Sequence, residues 1–224
     1  MRAGCVALGL LAFLMPAAPS ASISQEQSER IAGAAAVLDD IQRSPDKDIP
    51  QQLWDKAECV IVIPSLKKAA FVVGGEYGKG LMSCRIDGKW SAPVFMHMEK
   101  GSWGLQLGAQ TIDLVLIVMN KSGMDKLLSS TVSLGAEASV AGGPIGREAR
   151  AGTDIQLKAE ILAYSRAQGL FAGIDVSGGI LQPSDEDNAD LYGTKIRPRD
   201  VVMRNDVRPP AESEPFLAAL RRRL

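Results

Sequence analysis

The chain has 224 residues, of which 46% are hydrophobic and 23% charged, and its formal net charge at pH 7 is −1. These fractions are typical of a soluble globular protein with one well-cored domain and flanking segments. The 22 glycines, spread through the middle of the chain, favour many short strands over a helical bundle. No nucleic-acid partner is predicted.

Residues 1–21 have the order of a secretory signal peptide. Arg2 precedes an apolar run over residues 6–15, and small residues and prolines follow it. The run is too short to span a bilayer, and cleavage is expected near residues 20–22. The sequence therefore predicts an exported protein, periplasmic or extracellular, that is soluble or attached to a membrane only peripherally.

Charge is uneven along the remaining chain. Residues 24–193 hold 16 basic and 22 acidic residues, whereas residues 194–224 hold 8 basic and 4 acidic ones. We therefore expect a domain over residues 24–193 and a basic C-terminal extension over residues 194–224. A basic end of this kind can favour anionic surfaces such as phospholipid headgroups.

Residues 24–43 predict the first helix. Ser24 and Gln27 fit a capping box, and Ile31, Ala35 and Leu38 fall on one face at helical spacing. A second, short helix is expected from Pro50, a favourable first-turn residue. Three further helices are expected, at residues 124–130, 185–192 and 216–223.

Short strands are predicted through the middle of the chain. Residues 59–63 and 112–119 are nearly continuous apolar runs, and the second is typical of a strand covered on both faces. Residues 155–166 have helical propensity, but their alternation favours a strand that forms a hairpin with residues 170–176. Further strands are expected at residues 69–74, 80–86, 90–98, 103–110 and 133–140.

About eight strands at roughly ten-residue spacing, with helices at the ends, predict an α+β fold. We expect a mainly antiparallel β barrel or sandwich with N-terminal and peripheral helices. No alternation of strands and crossover helices occurs, so a nucleotide-binding parallel sheet is disfavoured.

The segment 133–150 is built almost entirely from small residues. Its first half alternates like a half-buried strand, and Gly142-Gly143-Pro144 ends the run. A strand without large side chains allows another element, or a ligand, to approach its backbone closely. Since the Lys and Ser/Thr of a phosphate loop are missing, close packing is the favoured interpretation.

Few residues suggest catalysis or metal binding. After export only Cys59 and Cys84 remain, which predicts either a disulfide or two buried thiols. The single His97 stands without a CxxC pair, so no metal site, no cofactor and no catalytic residue is predicted. A hydrolase that uses Asp113 or Glu137 is one hypothesis for the function, but no motif in the sequence suggests such an activity.

Several motifs, in order over residues 31–193, resemble the SYLF domain family. They are Ala57-x-Cys-x-Ile-Val-Ile-Pro64, Trp90-Ser-x-Pro93, Gly104-x-Gln-x-Gly108, Leu134-Gly-Ala-x-Ala-Ser-Val-Ala-Gly-Gly-Pro-x-Gly-Arg147, Tyr164-Ser-Arg-x-x-Gly-Leu-Phe-x-Gly173 and Asn188-x-x-x-Tyr192-Gly193. The resemblance implies a lipid-binding domain, known best from eukaryotic phosphoinositide-binding, actin-associated proteins and also found in exported bacterial proteins.

The resemblance also implies candidate lipid-binding residues. Family members engage anionic phospholipid through an N-terminal amphipathic helix and basic surface residues. Here the matching helix face would be Ile31, Ala35 and Leu38, although the helix also carries Glu26, Glu29, Asp39 and Asp40. The basic candidates are Lys67, Lys68, Arg147 and Arg150.

The leading hypothesis is an exported, non-catalytic protein that binds phospholipid or its headgroup at the cell envelope. The alternative is an envelope interaction module that docks a protein partner through its Gly-rich strand by edge pairing.

Overall fold

A computed structural model of the chain describes residues 23–42, 49–70, 73–103, 108–146, 158–167, 170–204 and 207–222. These residues form six α-helices: α1 (Gln25–Gln42), α2 (Gln51–Lys56), α3 (Lys121–Ser129), α4 (Asp185–Tyr192), α5 (Pro198–Met203) and α6 (Glu214–Arg221). They also form ten strands: β1 (Cys59–Ala70), β2 (Val73–Ile86), β3 (Lys89–Trp90), β4 (Val94–Trp103), β5 (Gly108–Val118), β6 (Val132–Ser133), β7 (Val140–Gly142), β8 (Ile161–Ala167), β9 (Leu170–Gly173) and β10 (Gly179–Pro183). The predicted signal peptide lies outside the described residues.

The strands make one curled sheet in the order β6-β10-β4-β2-β1-β5-β8-β7, with β3 paired to β2 and β9 paired to β8. All pairings within it are antiparallel except that of β7 with β8. The outermost strands of this order, β6 and β7, are joined by residues 134–139, so one short segment connects the two sheet edges. The predicted α+β class with N-terminal and peripheral helices is confirmed, and the barrel-or-sandwich alternative resolves to a single curled sheet.

Both faces of the sheet are buried, as the apolar runs predicted. Cys59, Ile61 and Ile63 of β1 lie in one hydrophobic cluster with side chains of α3 and α5. Val60 and Val62 lie in the second cluster with side chains of α1, α2 and α6. Because side chains of a strand alternate between its faces, a strand covered on both faces must be apolar throughout.

Helix α1 begins with the predicted capping box. The Ser24 amide donates to Gln27 Oε1 at 2.7 Å, and the Gln27 amide donates to Ser24 Oγ at 3.2 Å. Ile31, Ala35 and Leu38 are 1%, 8% and 0% exposed, since they pack against the sheet. Their assignment to a membrane-facing surface is therefore wrong: this face of the helix belongs to the core.

The C-terminal segment is part of the same core. Phe216, Leu217 and Leu220 of α6 are buried in the cluster that contains α1, and Val201 and Val202 of α5 are buried in the other cluster. The described residues of the predicted extension, 194–204 and 207–222, therefore pack on the domain. The basic residues of this C-terminal segment lie mostly on its surface, whereas its buried apolar residues hold it against the sheet.

The predicted strand at residues 133–140 is a turn flanked by β6 and β7. Gly135 has φ +88°, and its amide donates to the Ala138 carbonyl at 2.7 Å. A left-handed backbone angle of this kind interrupts a strand and favours glycine. The alternation of small residues imitated a strand because no large side chain marked either face.

The glycines that follow allow close packing, as their composition suggested. A Cβ atom on Gly143 would lie 1.9 Å from Tyr164 Cζ, and one on Gly173 would lie 2.3 Å from the Gly143 carbonyl oxygen. Tyr164 is fully buried and donates to the Pro144 carbonyl at 3.3 Å. This segment therefore packs on β8 and β9, which leaves its glycines engaged within the chain.

The hairpin of β8 and β9 is present, but its first strand begins at Ile161, and the described residues before it, 158–160, are not part of a strand. The earlier part of the predicted strand, residues 155–157, lies outside the described residues. Strand β10 had no counterpart in the sequence expectations.

Cys59 and Cys84 face each other across β1 and β2 and are joined by a disulfide, and both are buried.

Replacement of Gly143 by Ala should destabilise the fold, because the new methyl group would overlap the Tyr164 ring. Overpacking a tight core costs about 1–3 kcal/mol, and this contact favours the upper end. Urea unfolding of Gly143→Ala would measure the change in the free energy of unfolding. Gly101→Ala is the control, since a Cβ atom there meets nothing within 4 Å. Equal stability of the two variants would contradict the close packing.

Glu160 ties the edge-connecting segment to α3. It accepts from Lys126 Nζ at 2.8 Å, from Ser122 Oγ at 2.6 Å and from the Ser139 amide at 2.9 Å. Burial raises the pKa of Glu160, but the hydrogen bonds from Lys126, Ser122 and Ser139 outweigh it and lower the pKa from 4.5 to about 2. The ionised carboxylate is therefore the form that the fold stabilises.

A carboxyl group whose pKa is lower in the folded than in the unfolded state makes the free energy of unfolding decrease as the pH falls. Glu160 should contribute its full stabilisation above pH 4.5 and lose it as the pH falls toward about 2. In chemical denaturation at a series of pH values, the stability difference between wild type and Glu160→Gln should be largest above pH 4.5 and shrink below it. The exposed Glu186→Gln variant should follow wild type throughout, and a constant deficit of Glu160→Gln would refute the assignment.

Candidate functional site

A charged cleft of about 490 Å³ lies between α1 and the strands β1 and β2. A volume of this size falls in the range of small-ligand pockets. The lining combines acidic, basic and aromatic side chains with two glycines: Glu26, Glu29, Arg30, Gly33, Pro64, Ser65, Lys67, Tyr77, Gly78 and Lys79.

An irregularity in β1 shapes the floor of the cleft. The pairing of β1 with β5 shifts between Ile63 and Leu66, and Ser65 has φ +54°, a sparsely populated angle for a residue with a side chain. The Ser65 amide donates to Asp113 Oδ1 at 2.9 Å, which satisfies the backbone at the bulge. The bulge turns Ser65 outward, where its side chain is exposed.

Arg30 of α1 forms one wall. Its side chain is only 8% exposed, and its Nη2 atom donates to Glu26 Oε1 at 2.6 Å. The Nη1 atom lies 3.8 Å from Asp187 Oδ2, and among the described residues it has no hydrogen-bond partner. The guanidinium also lies 5.8 Å from the Phe95 ring centroid, at the outer limit of a cation–π contact. The guanidinium is therefore held in place, and its buried Nη1 atom makes no hydrogen bond to a described residue.

Asp187 of α4 organises the buried side of this region. It accepts from Gln27 Nε2 at 2.9 Å, from Lys79 Nζ at 3.0 Å and from Ser184 Oγ at 2.7 Å. Burial raises the pKa of Asp187, but the hydrogen bonds from Ser184, Gln27 and Lys79 outweigh it and hold the pKa below its usual value. One carboxylate thus connects α1, β2 and α4.

Most acidic residues of α1 are neutralised in the fold. Asp40 Oδ2 lies 2.7 Å from Arg166 Nη2, and Asp39 Oδ1 lies 2.5 Å from Arg222 Nη2. Glu26 pairs with Arg30, as above. Among the described residues, the only hydrogen-bond donor to Glu29 is the side-chain Nε2 atom of Gln25, at 2.8 Å. The acidic appearance of this helix in the sequence therefore overstates its effective charge.

The predicted basic candidates have different positions. Lys67 is exposed and lines the cleft, without an ion pair to any described residue. Lys68 is half-buried and its Nζ lies 3.1 Å from Glu76 Oε1, away from the cleft lining. Arg147 and Arg150 lie outside the described residues, so their role stays a prediction.

Motif residues near the cleft have structural roles. The Asn188 side chain accepts from the Phe95 amide at 2.7 Å and donates to the Phe95 carbonyl at 3.0 Å, and Tyr192 donates to the Pro93 carbonyl at 2.6 Å. These contacts fasten α4 to β4. The motif Asn188-x-x-x-Tyr192-Gly193 therefore holds α4, the helix that carries Asp187, in place.

The residues considered for catalysis are also used by the fold. Asp113 accepts from the Ser65 amide and lies 3.2 Å from Arg166 Nη1, and Glu137 Oε2 accepts from the Ser133 amide at 2.7 Å. His97 lies on β4 with its Nε2 atom 2.5 Å from Gln182 Nε2. In the described part of the chain, no three His, Cys, Asp or Glu side chains are grouped so as to hold a metal ion.

Sequence reasoning found Lys67 but missed Arg30, Lys79 and Asp187. Arg30 and Lys79 are separated by more than a helix and a strand, and no local pattern connects them. One weak signal existed: Gln27 and Arg30 are polar, yet at three-residue spacing they share a side of α1 close to its buried face.

Fold and cleft together define an α+β protein with one curled sheet and helices on both of its faces. No described helix combines the length and apolar character needed to cross a bilayer. The sequence profile of the family described as Ysc84, Las17-binding protein actin regulator, matches residues 99–223. The chain belongs to this Ysc84, or SYLF, family, which confirms the resemblance seen in its motifs.

Curated relatives support the same assignment. SH3 domain-containing YSC84-like protein 1 of Bos taurus is 33% identical over 178 residues, which cover 79% of this chain and 52% of the relative. LAS seventeen-binding protein 3 of Saccharomyces cerevisiae is 31% identical over 182 residues, covering 80% of this chain and 39% of the relative. The chain thus spans about half the length, or less, of these proteins. The name of the yeast relative describes it as binding LAS seventeen.

Removal of the Asp187 charge should destabilise the region around the cleft. Asp187→Asn would leave the cations of Lys79 and Arg30 without their shared carboxylate, and breaking a buried pair costs roughly 3–5 kcal/mol. Since Lys79 is partly exposed, we expect about 2–3 kcal/mol in the free energy of unfolding. Asp185→Asn, an exposed change in the same helix, is the matched control. Equal urea midpoints for the two variants would contradict this role of Asp187.

Proposed function

We propose that this chain is an exported, non-catalytic protein that binds the headgroup of a phospholipid in the cleft between α1 and β1–β2. The observation that carries the proposal is the set of cations that line this cleft: Arg30 forms one wall, and Lys67 is exposed on the rim without an ion pair to any described residue. Phosphate oxygens are the acceptors that guanidinium groups bind best.

The arrangement of charge around Arg30 supports the same ligand. Lys67 is exposed on the rim, and Lys79 lies deeper, where Asp187 holds it at 3.0 Å. Three cations from one helix and two strands therefore surround a single cleft. Since Asp39 and Asp40 are neutralised by ion pairs, they offer little repulsion to a membrane surface.

The structural use of the acidic residues supports a binding role without catalysis. Asp113 satisfies the bulge at Ser65, and Glu137 satisfies the turn before β7. A general acid or base needs a proton-transfer partner in a substrate pocket. Neither Asp113 nor Glu137 lines the cleft.

The proposal of export rests on residues 1–21 and on chemistry in the core. The buried disulfide between Cys59 and Cys84 fits a protein that folds in an oxidising compartment. Docking of a partner by the Gly-rich strand is less favoured, because Gly142 and Gly143 pack on backbone and side-chain atoms of β8 and β9.

Vesicle co-sedimentation of the exported, purified protein tests the proposal. We expect pelleting with vesicles that contain phosphatidylethanolamine, phosphatidylglycerol or cardiolipin above that with phosphatidylcholine alone. Lys67→Glu should weaken it roughly tenfold, since a basic residue near an anionic surface contributes about 1 kcal/mol and the change also introduces repulsion.

Lys195→Glu is the matched control, because it makes the same change of charge at an exposed lysine outside the cleft. The mass of the purified protein tests export in the same preparation, since a processed chain lacks residues 1–21. Background pelleting with every lipid would refute the proposed function, and an unprocessed chain would refute export.

A further inference from the structure

We infer that the cleft is selective for a zwitterion: a phosphate ester that carries a primary ammonium group, as in phosphoethanolamine. The ligand is either a phosphatidylethanolamine headgroup or a soluble phosphoethanolamine ester, which share this chemistry. The inference builds on the proposed headgroup site and specifies its ligand. It rests on two opposite, exposed charges in the cleft, neither of which has an ion pair to a described residue.

These two charges are Glu29 and Lys67. Glu26 is paired with Arg30 at 2.6 Å, and Lys79 is paired with Asp187 at 3.0 Å. Within the described residues, by contrast, neither Glu29 nor Lys67 has an ion pair. Both line the same cleft, the first from α1 and the second from β1.

A zwitterion matches this pair of charges. Its phosphate would lie at Lys67, and the exposed hydroxyl of Ser65, which lines the same cleft, can donate to it. Its ammonium group would lie at Glu29. Tyr77, which is 44% exposed and lines the cleft, adds an aromatic face that attracts a cation.

Other headgroups match the cleft less well. A phosphoglycerol group is only anionic, so it would leave Glu29 without a cation and be repelled by it. A phosphocholine group has a quaternary ammonium, which carries no N–H and cannot donate a hydrogen bond to the Glu29 carboxylate. Inorganic phosphate would pair with the cations of the cleft but would leave Glu29 without a cationic partner. The primary ammonium is therefore the feature that distinguishes the expected ligand.

The test compares ligands and variants side by side. Vesicles of phosphatidylcholine doped with equal fractions of phosphatidylethanolamine or phosphatidylglycerol measure the lipid preference, and calorimetric titration with phosphoethanolamine, ethanolamine or inorganic phosphate measures soluble binding. Wild type should prefer phosphatidylethanolamine over phosphatidylglycerol by roughly tenfold, as one satisfied ion pair against one repulsive contact predicts.

Glu29→Gln should abolish this preference by weakening binding to phosphatidylethanolamine and strengthening binding to phosphatidylglycerol. Because Glu29 is exposed and Gln25 is its only hydrogen-bond partner among the described residues, the variant should fold normally, which circular dichroism verifies. Glu186→Gln, on α4 and outside the cleft, is the control and should keep the wild-type preference.

The outcomes separate the two proposals. Equal or stronger binding of phosphatidylglycerol by wild type, or an unchanged preference in Glu29→Gln, overturns the zwitterion inference and leaves the headgroup site intact. Binding of soluble phosphoethanolamine without binding to any vesicle supports the zwitterion site and refutes the membrane role. Absence of binding to every vesicle and every soluble probe refutes both.

Discussion

The cleft depends on the buried carboxylate of Asp187. It accepts hydrogen bonds from α1 and β2, and its own helix α4 is fastened to β4 by Asn188. Because a buried carboxylate is tolerated only when it is well hydrogen-bonded, moving α1 or β2 away would leave the Asp187 charge without its partners at a large cost in free energy. The distance between α1 and the sheet is thereby fixed, and with it the width of the cleft.

Small residues provide the second constraint. Where β2 passes β1, a Cβ atom on Gly80 would lie 2.0 Å from the Val62 carbonyl oxygen, and one on Gly78 would lie 2.6 Å from Ile63 Cγ2. The curled sheet can bend tightly beside the bulge only because these positions lack side chains. The hydrogen bonds of Asp187 on α4 and the close packing of β2 on β1 thus both fix the geometry of the cleft.

Local patterns in the sequence predicted much of this fold. The capping box at Ser24 and the apolar runs of β1 and β5 mark elements whose local chemistry agrees with their environment. The turn at Gly135 was not recognised, because alternating small residues fit a strand and a tight turn equally well. Strand β10 was missed because it is short and has few β-branched residues, and its place is set by pairing with β4 and β6.

The site was predictable only in part. Lys67 stood out as a charged residue beside a strand, and the family motifs directed attention to basic residues. Arg30, Lys79 and Asp187 come from three elements that meet only in the folded chain, so their partnership has no signature in the sequence. The apolar face of α1 shows the same limit, since amphipathic periodicity indicates burial but not whether protein or lipid covers the face.

The contact between the first and last helices has a consequence for how the protein folds. The outer face of the sheet is covered by α1 and α6, and the Asp39–Arg222 pair spans a sequence separation of 183 residues. Contacts of such long range form late, since a large loop must close first. The nascent chain therefore keeps an exposed apolar surface on α1 and the sheet until α6 has been synthesised.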